Sequence, residues 1–179
     1  SLSTTGVLTY ARGNRLRQLM WFEGDKYKST PVGEPGEYYN LSLSRDASRA
    51  AVAMPSGSPA NADIYLIDLT NDGARSRVTL DPALEGMPVL SPDGARVAFS
   101  SDRSGVSNIY VKVVGGGQEE RALESAAANW PTDWSSKGDF LAYTESHPGS
   151  TGVDLWVLPL LPLSGERKAE PFLQTKDDE

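Results

Sequence analysis

The sequence predicts an all-β fold made of four-stranded antiparallel sheets that repeat along the chain. Three observations lead to this prediction: a repeat of about 45 residues, short apolar runs rich in β-branched and aromatic residues, and turn motifs between those runs. The apolar runs are residues 64–69, 97–100, 109–113, 140–143 and 155–158. The turn motifs include the sequence SPDG at residues 91–94, and no segment has a convincing helical pattern.

Two sets of anchor residues define the length of the repeat. Serines that close an apolar run and open a turn recur 47 and then 44 residues apart, and they are Ser44, Ser91 and Ser135. Polar residues that precede the third strand of each repeat recur 45 and then 46 residues apart, and they are Asp63, Asn108 and Asp154. Because the two sets agree, we interpret each repeat as one blade of a β-propeller, with strands a to d.

The repeat divides the chain into one partial blade and three full blades. The partial blade, with strands b to d, covers residues 1–36, and the full blades cover 37–81, 82–125 and 126–179, the last with the start of a further blade. Strand d is expected at residues 77–80, 120–123 and 170–173. Since propellers usually have roughly 4–8 blades, we expect part of a larger ring of about six to eight. The alternative is a complete four-bladed ring that residues 174–179 close.

An open arc of blades exposes an apolar face at each of its two ends. Leu19 and Trp21 are expected at one end, and Leu155, Val157 and Phe172 at the other. Because removing apolar surface from water drives association, we expect the isolated chain to self-associate, most simply as a two-fold dimer.

The composition excludes several classes of function. The chain has 179 residues and a formal net charge of -7, and an acidic surface of this kind disfavours nucleic acid and anionic membranes as partners. The longest apolar stretch is nine residues, LWVLPLLPL, and it contains Pro159 and Pro162. A membrane-spanning helix needs about 20 apolar residues, so we expect no membrane insertion of this segment.

The residue types needed for catalysis or metal binding are sparse. His147 is the only histidine, and the sequence has no cysteine and no G-x-S-x-G motif, so neither a catalytic triad nor a zinc site is predicted. Four aspartates recur at blade-related positions without a calcium-loop motif, namely Asp63, Asp102, Asp133 and Asp154. We expect the anchors at 63, 108 and 154 to hydrogen-bond backbone groups. No catalytic residue, cofactor or metal ligand is therefore predicted.

The loops that lead into strand a of each blade form the candidate binding site. In a propeller the d–a and b–c loops meet at one face, around the mouth of the central channel. The residues expected at this rim are Glu37, Tyr38, Tyr39, Glu85, Met87, Asn129, Trp130 and Asp133. Aromatic rings beside carboxylates suit a cationic or peptide-like partner. In the alternative interpretation, Tyr39 and Trp130 pack between blades, because both precede a serine anchor by five residues.

Residues 91–105, with the sequence SPDGARVAFSSDRSG, are followed by Asn-Ile-Tyr at 108–110. This stretch resembles the repeat of TolB-type propellers, which belong to the wider WD-like class. The motifs LMWF at 19–22, WPTDW at 130–134 and DLWVLP at 154–159 also resemble the C-terminal propeller of bacterial serine/threonine protein kinases. That resemblance covers nearly the whole chain, although residues 44–48 and 135–139 depart from the SPDG pattern.

These resemblances imply a non-catalytic binding or sensor module that recognises a protein or peptide. The module would belong to a larger, membrane-associated bacterial protein such as a serine/threonine kinase, and it would lie outside the cytoplasm, in the periplasm. No kinase motif is present in the sequence itself. Two alternatives remain open: the gating propeller of a prolyl-oligopeptidase-like serine peptidase, and a periplasmic TolB-like adaptor.

Overall fold

The computed structural model describes residues 7–11, 16–23, 28–147, 152–160 and 167–173. These residues form four antiparallel sheets, which follow one another along the chain as blades 1 to 4. Blade 1 has three strands, β1 (Val7–Ala11), β2 (Arg17–Glu23) and β3 (Lys28–Gly36). Blade 2 contains β4 (Tyr39–Leu43), β5 (Arg49–Ser56), β6 (Ser58–Asp68) and β7 (Ala74–Arg77).

Blades 3 and 4 repeat the four-stranded pattern of blade 2. Blade 3 contains β8 (Glu85–Leu90), β9 (Arg96–Ser101), β10 (Asn108–Val113) and β11 (Glu119–Arg121). Blade 4 contains β12 (Ala128–Trp134), β13 (Phe140–Ser146), β14 (Val153–Pro159) and β15 (Glu170–Leu173). In each blade, strands that are consecutive in the chain pair with each other. The predicted all-β fold of four-stranded antiparallel sheets is confirmed, and none of the described residues is helical.

The serine anchors have the same role in blades 2, 3 and 4. Each serine Oγ accepts a hydrogen bond from the backbone N–H five residues later. The distances are 3.0 Å for Ser44 and Arg49, 2.8 Å for Ser91 and Arg96, and 3.0 Å for Ser135 and Phe140. The hydroxyl thereby closes the turn between the first and second strands, as an ST-type turn does. This contact explains why serine recurs once per blade.

The outer strands differ from the predicted positions in two blades. β7 ends at Arg77 and β11 at Arg121, whereas strand d was expected at 77–80 and 120–123; β15 lies at 170–173, as predicted. The chain after β7 is fixed by another contact, since the Ile64 N–H donates to Thr79 Oγ1 at 2.9 Å and Thr79 is fully buried. Because Thr79 is held to β6 by its side chain as well as by the backbone, the regular ladder stops before it.

The hydrophobic core lies between the blades. Alternate residues of β5 face opposite neighbours: Ala50 and Val52 pack toward blade 1, while Ala51 and Ala53 pack toward blade 3. This alternation is the two-residue period of a strand that is covered on both faces. A third cluster joins blades 3 and 4 around Leu141, and the whole is an arc of propeller blades stacked face to face.

The packing corrects one expectation about the ends of the arc. Leu19 is only 1% exposed, and it packs against Ala50, Val52 and Ile67 of blade 2, with Trp21 partly buried on the same cluster. Neither side chain can therefore contribute to an open face that would drive self-association. At the other end, Phe172 is 70% exposed, which agrees with the expectation that it lies on an open face of the arc. Among the residues described, no helix has the length and apolar character to cross a membrane.

Candidate functional site

The strand order gives the arc two faces. On the face that we call the rim, the first strands of blades 2 to 4 begin and the second strand of each blade leads into the third. The first strands β4, β8 and β12 lie beside one another. The rim contains a hollow of about 370 Å³ between blades 2, 3 and 4. The residues lining this rim hollow are Tyr39, Asn40, Ala53, Ala62, Leu84, Glu85, Gly86, Met87, Ser100, Asp102, Ser107 and Trp130.

The border of the rim hollow is apolar and open to solvent. Tyr39 is 37% exposed, Leu84 51% and Met87 41%, and Trp130 is half-buried beside them. Large apolar side chains that gather around a concavity are typical of a surface that docks a partner. The rim hollow can therefore enclose one apolar side chain of a ligand and exclude water from it.

A β-bulge interrupts each of the first strands β4, β8 and β12. The pairing of each of them with the second strand of its blade shifts by one residue, between Tyr39 and Leu41, between Gly86 and Val89, and between Pro131 and Asp133. Asn40 and Met87 have positive φ angles of 25° and 48°, which an L-residue adopts only at a cost. Asn40 Oδ1 accepts the Met87 N–H at 3.4 Å, a contact that joins blades 2 and 3 across the rim hollow.

Four of the eight predicted rim residues line the rim hollow: Tyr39, Glu85, Met87 and Trp130. Glu37 lies next to it, because the Tyr39 hydroxyl donates to Glu37 Oε2 at 3.0 Å. Tyr39 and Trp130 are therefore surface residues of the rim, although Trp130 is also partly packed.

The other three predicted residues lie elsewhere. Tyr38 is 2% exposed, packs with the core cluster between blades 1 and 2, and donates its hydroxyl to Glu34 O at 2.6 Å. Asn129 is fully buried, and its Nδ2 donates to Ala127 O at 2.8 Å. Asp133 lines a separate hollow with Arg45 and Pro92, near the turns between first and second strands. These three side chains therefore do not line the rim hollow, although the backbone N–H of Asn129 donates to Ser107 O at 2.8 Å beneath it.

Several lining residues were not part of the predicted site. Leu84 and Asp102 belong together, since the Leu84 N–H donates to Asp102 Oδ1 at 2.9 Å and this bond ties the loop before β8 to the loop after β9. The sequence shows Asp102 as one of the aspartates that recur between blades, and its position in a b–c loop could have placed it at the rim. Asn40 and Ser107 carried no comparable pattern in the sequence.

A partly buried charge cluster lies behind the rim hollow. The Arg103 guanidinium contacts Glu85 and Glu119, lies 3.6 Å from Asp81 Oδ2, and stacks 4.3 Å from the centre of the Tyr110 ring. Asp81 lies in the loop before β8, Glu85 begins β8, and Glu119 begins the outer strand β11. The planar guanidinium group of an arginine can contact several partners at once. Arg103 therefore fixes the start of β8, which includes Met87, to the rest of blade 3.

Glu85 has an unusual protonation equilibrium within this cluster. The residue is 1% exposed, and its Oε2 is buried without a hydrogen-bond partner among the described residues. Burial raises the pKa of Glu85 from 4.5 to about 7, and the hydrogen bond from Thr79 and the charge of Arg103 offset only part of the effect. Glu85 therefore exchanges its proton near neutral pH.

The raised pKa predicts that stability falls as the pH rises. Between about pH 4.5 and 7 the folded chain keeps a proton on Glu85 that the unfolded chain has lost, so stability decreases across this interval. After a discount for solvent screening we expect a loss of about 1–2 kcal/mol. Thermal unfolding between pH 5 and 8 measures it. Glu85→Gln, which stays neutral, should flatten the profile, whereas the exposed control Glu124→Gln should not; equal profiles for all three proteins would contradict the assignment.

The anchor residues of the third strands act on the backbone in different ways. Asn108 is buried; its Oδ1 accepts the Ser125 N–H at 2.9 Å, and its Nδ2 donates to Val106 O at 3.4 Å. Asp63 is also buried, but it pairs with Arg77 Nη2 at 2.6 Å. Arg77 Nε in turn donates to Thr79 O at 2.9 Å, so this carboxylate reaches the backbone through the arginine.

The arrangement around His147 is not that of a nucleophile and its base. His147 Nε2 lies 2.9 Å from Glu145 Oε1, and the Ser125 hydroxyl donates to the other oxygen of that carboxylate at 3.3 Å. A triad needs the imidazole next to the hydroxyl. Here the carboxylate separates the two, so this cluster joins the end of β13 to Ser125. No group of three or more histidines, aspartates and glutamates in the described ranges could hold a metal ion.

Comparisons with known proteins agree with the fold. The family model of the TolB beta propeller domain matches residues 32–158. Tol-Pal system protein TolB of Helicobacter pylori is 37% identical over 75 residues, which are 41% of this chain and 17% of that protein. The crystal structure of TolB from Acinetobacter baumannii superposes with a TM-score of 0.72 at 19% identity, covering 91% of this chain and 40% of that one.

A prolyl endopeptidase structure superposes with a TM-score of 0.65 at 17% identity, covering 97% of this chain and 30% of that one. At this identity the likeness shows the fold alone. The fold and the rim define a blade-repeat module with a concave, aromatic-lined face. The chain belongs to the TolB-type β-propeller family, and it spans well under half the length of these relatives.

Proposed function

We propose that the chain is a non-catalytic recognition module that binds an extended segment of a protein or peptide at the rim hollow. The observation that carries the proposal is the apolar border of a hollow whose volume is about 370 Å³. A hollow of this size holds one large side chain of a partner. Binding surfaces favour rigid aromatic rings, here Tyr39 and Trp130, and the flexible side chain of methionine, here Met87.

The charges beside the rim hollow favour a basic flank on the bound segment. Glu37 and Asp102 lie at its edge, and the whole chain has a net charge of -7. Electrostatic complementarity of this kind raises the association rate and favours one orientation of the partner. The preferred ligand is therefore an apolar anchor side chain next to lysine or arginine.

A peptide-display selection against the full chain tests the proposal. We expect enriched peptides to share an aromatic or aliphatic residue beside a basic one. Met87→Asp should weaken their binding about tenfold or more, since it places a charge in the anchor site. Phe140→Asp is the matched control, because Phe140 is also exposed, at 46%, but lies at the start of β13, away from the rim. Selected peptides that bind both variants equally would overturn the proposal.

The larger protein is proposed from the sequence resemblance and from the family. A periplasmic location suits a relative of the Tol-Pal system protein, and the motifs at 19–22, 130–134 and 154–159 suit the propeller of a membrane-bound serine/threonine kinase. The propeller of a serine peptidase is the second candidate, which the prolyl endopeptidase superposition favours on fold. A periplasmic TolB-like adaptor is the third candidate, and the sequence that flanks this chain in its gene decides among the three.

A further inference from the structure

A second concavity lies on the face opposite the rim, where the third and fourth strands of each blade are joined by hairpins. It has a volume of about 500 Å³ and lies between β6 and β7 of blade 2 and the β10–β11 hairpin of blade 3. We call it the hairpin cleft. Three cationic residues line it, Arg49, Arg77 and Lys112, together with one carboxylate, Asp68. The lining thus has more cationic than anionic side chains, although the net charge of the chain is -7.

Two of the cations are fixed in place by carboxylates behind them. Arg77 Nη2 lies 2.6 Å from the buried Asp63, and Lys112 Nζ lies 3.1 Å from Glu119 Oε1. These contacts use only part of the donor set, even with the Arg77 Nε–H that donates to Thr79 O, because a guanidinium carries five N–H groups and an ammonium three. The remaining donors of these two side chains stay available to a ligand, on groups that are already ordered.

Arg49 is available in a different way. The residue is exposed, and its guanidinium makes no hydrogen bond or ion pair within the part of the chain that the structure describes. The neighbouring carboxylate is shared, since Asp68 Oδ1 accepts the Thr70 hydroxyl at 2.7 Å and the Thr70 N–H at 2.9 Å. These hydrogen bonds, and to a smaller extent the charge of Arg49, lower the pKa of Asp68. Arg49 can therefore present its planar fork to an anion in the cleft.

The far wall of the hairpin cleft is bare backbone. Gly115, Gly116 and Gly117 have φ angles of 88°, 150° and 98°, and the first two have no atom within 4 Å of the place where a Cβ would stand. A wall without side chains lets a ligand approach the amide groups directly. Among these three, Gly116 alone donates a backbone hydrogen bond inside the described chain, to Val113 O at 3.4 Å.

We propose that the hairpin cleft binds a tetrahedral oxyanion, the phosphate or sulfate group of a small ligand. Guanidinium and ammonium donors with free backbone N–H groups are the set that recognises such a group. The remote negative charges of the chain oppose it little at physiological ionic strength, since charges more than about 8 Å away are screened. The cleft is independent of the rim hollow, so the two sites can be tested separately.

Amide chemical shifts of the full chain, in Tris chloride at constant ionic strength, test the proposal. We expect saturable shifts of the Gly115, Gly116 and Gly117 signals on titration with sodium phosphate or sulfate, with a Kd in the millimolar range. Arg49→Gln should weaken phosphate binding about tenfold, as expected for the loss of a bidentate charge-assisted pair. Arg49→Lys keeps the charge but lacks the planar fork, so its phosphate affinity should lie between those of the wild-type chain and Arg49→Gln.

Arg121→Gln is the matched control, because Arg121 is also an exposed arginine, but it pairs with Glu124 and does not line the cleft. It should bind phosphate as the wild-type chain does. Both Arg49 variants change an exposed side chain, so we expect them to fold, and an unchanged dispersion of their amide signals verifies this. Shifts that do not saturate, shifts that survive in Arg49→Gln, or tighter binding of acetate than of phosphate would each overturn the proposal.

Discussion

Phe99→Ala is expected to lower the free energy of unfolding by about 3–5 kcal/mol, the range for removing a fully buried phenylalanine. Phe99 is 0% exposed and packs with Ala51, Ile64 and Leu66 of blade 2 across the blade interface. Its ring also stacks on Tyr110, with the ring centres 6.1 Å apart. The substitution therefore leaves a cavity between two blades and removes an aromatic contact, and urea unfolding followed by circular dichroism measures the loss.

Phe140→Ala is the matched control for this prediction. Phe140 also lies in a second strand, but it is 46% exposed, so its replacement should cost less than about 1 kcal/mol. If Phe99→Ala does not fold, Phe99→Leu should still fold and lose about 1–2 kcal/mol. Equal losses for the two alanine variants would show that the face-to-face packing of blades 2 and 3 is not what stabilises the arc.

The blade repeat could be predicted from the sequence because one hydrogen bond recurs in blades 2, 3 and 4. Ser44, Ser91 and Ser135 close equivalent turns, so their spacing measures the length of a blade directly. The ends of the outer strands could not be predicted in the same way. They depend on contacts such as that of Thr79 with Ile64, which joins residues that are distant in sequence.

The rim was predicted less well for a specific geometric reason. Successive side chains of an extended chain point to opposite faces. Tyr39 lines the rim hollow while its neighbour Tyr38 enters the core, and Trp130 lines it while Asn129 is buried. The predicted site includes both members of each pair, although only one of them faces the rim hollow.

Asp133 was misplaced for a simpler reason. It lies four residues beyond Asn129 in β12, and at about 3.3 Å per residue this places it roughly 13 Å along the strand, toward the opposite face. The charge cluster behind the rim was also not predicted, since Arg103, Glu85 and Glu119 come from three separate segments. Only the pairing of β8, β9 and β10 with β11 brings them together.

Gly73→Ala is expected to destabilise the chain by about 2–4 kcal/mol, from two separate causes. Gly73 has a φ angle of 71°, in the turn where its N–H donates to Asp68 O at 2.9 Å, and a side chain is strained in that conformation. A Cβ at this position would also lie 2.7 Å from the Cα and N atoms of Gly33 in blade 1. Because both partners are backbone, the contact is relieved only by moving the two blades apart.

Gly115→Ala separates the two causes, because it introduces the same side chain at a similar φ angle of 88° with no atom within 4 Å. That variant should lose only the conformational part, about 1 kcal/mol. The difference between the two variants, measured by urea unfolding at pH 6, gives the energetic effect of the close approach between β3 and the β6–β7 hairpin. Equal losses would mean that blade 1 does not rest on that hairpin in solution. A much larger loss for Gly73→Ala means that the glycine pair fixes the spacing of the first two blades.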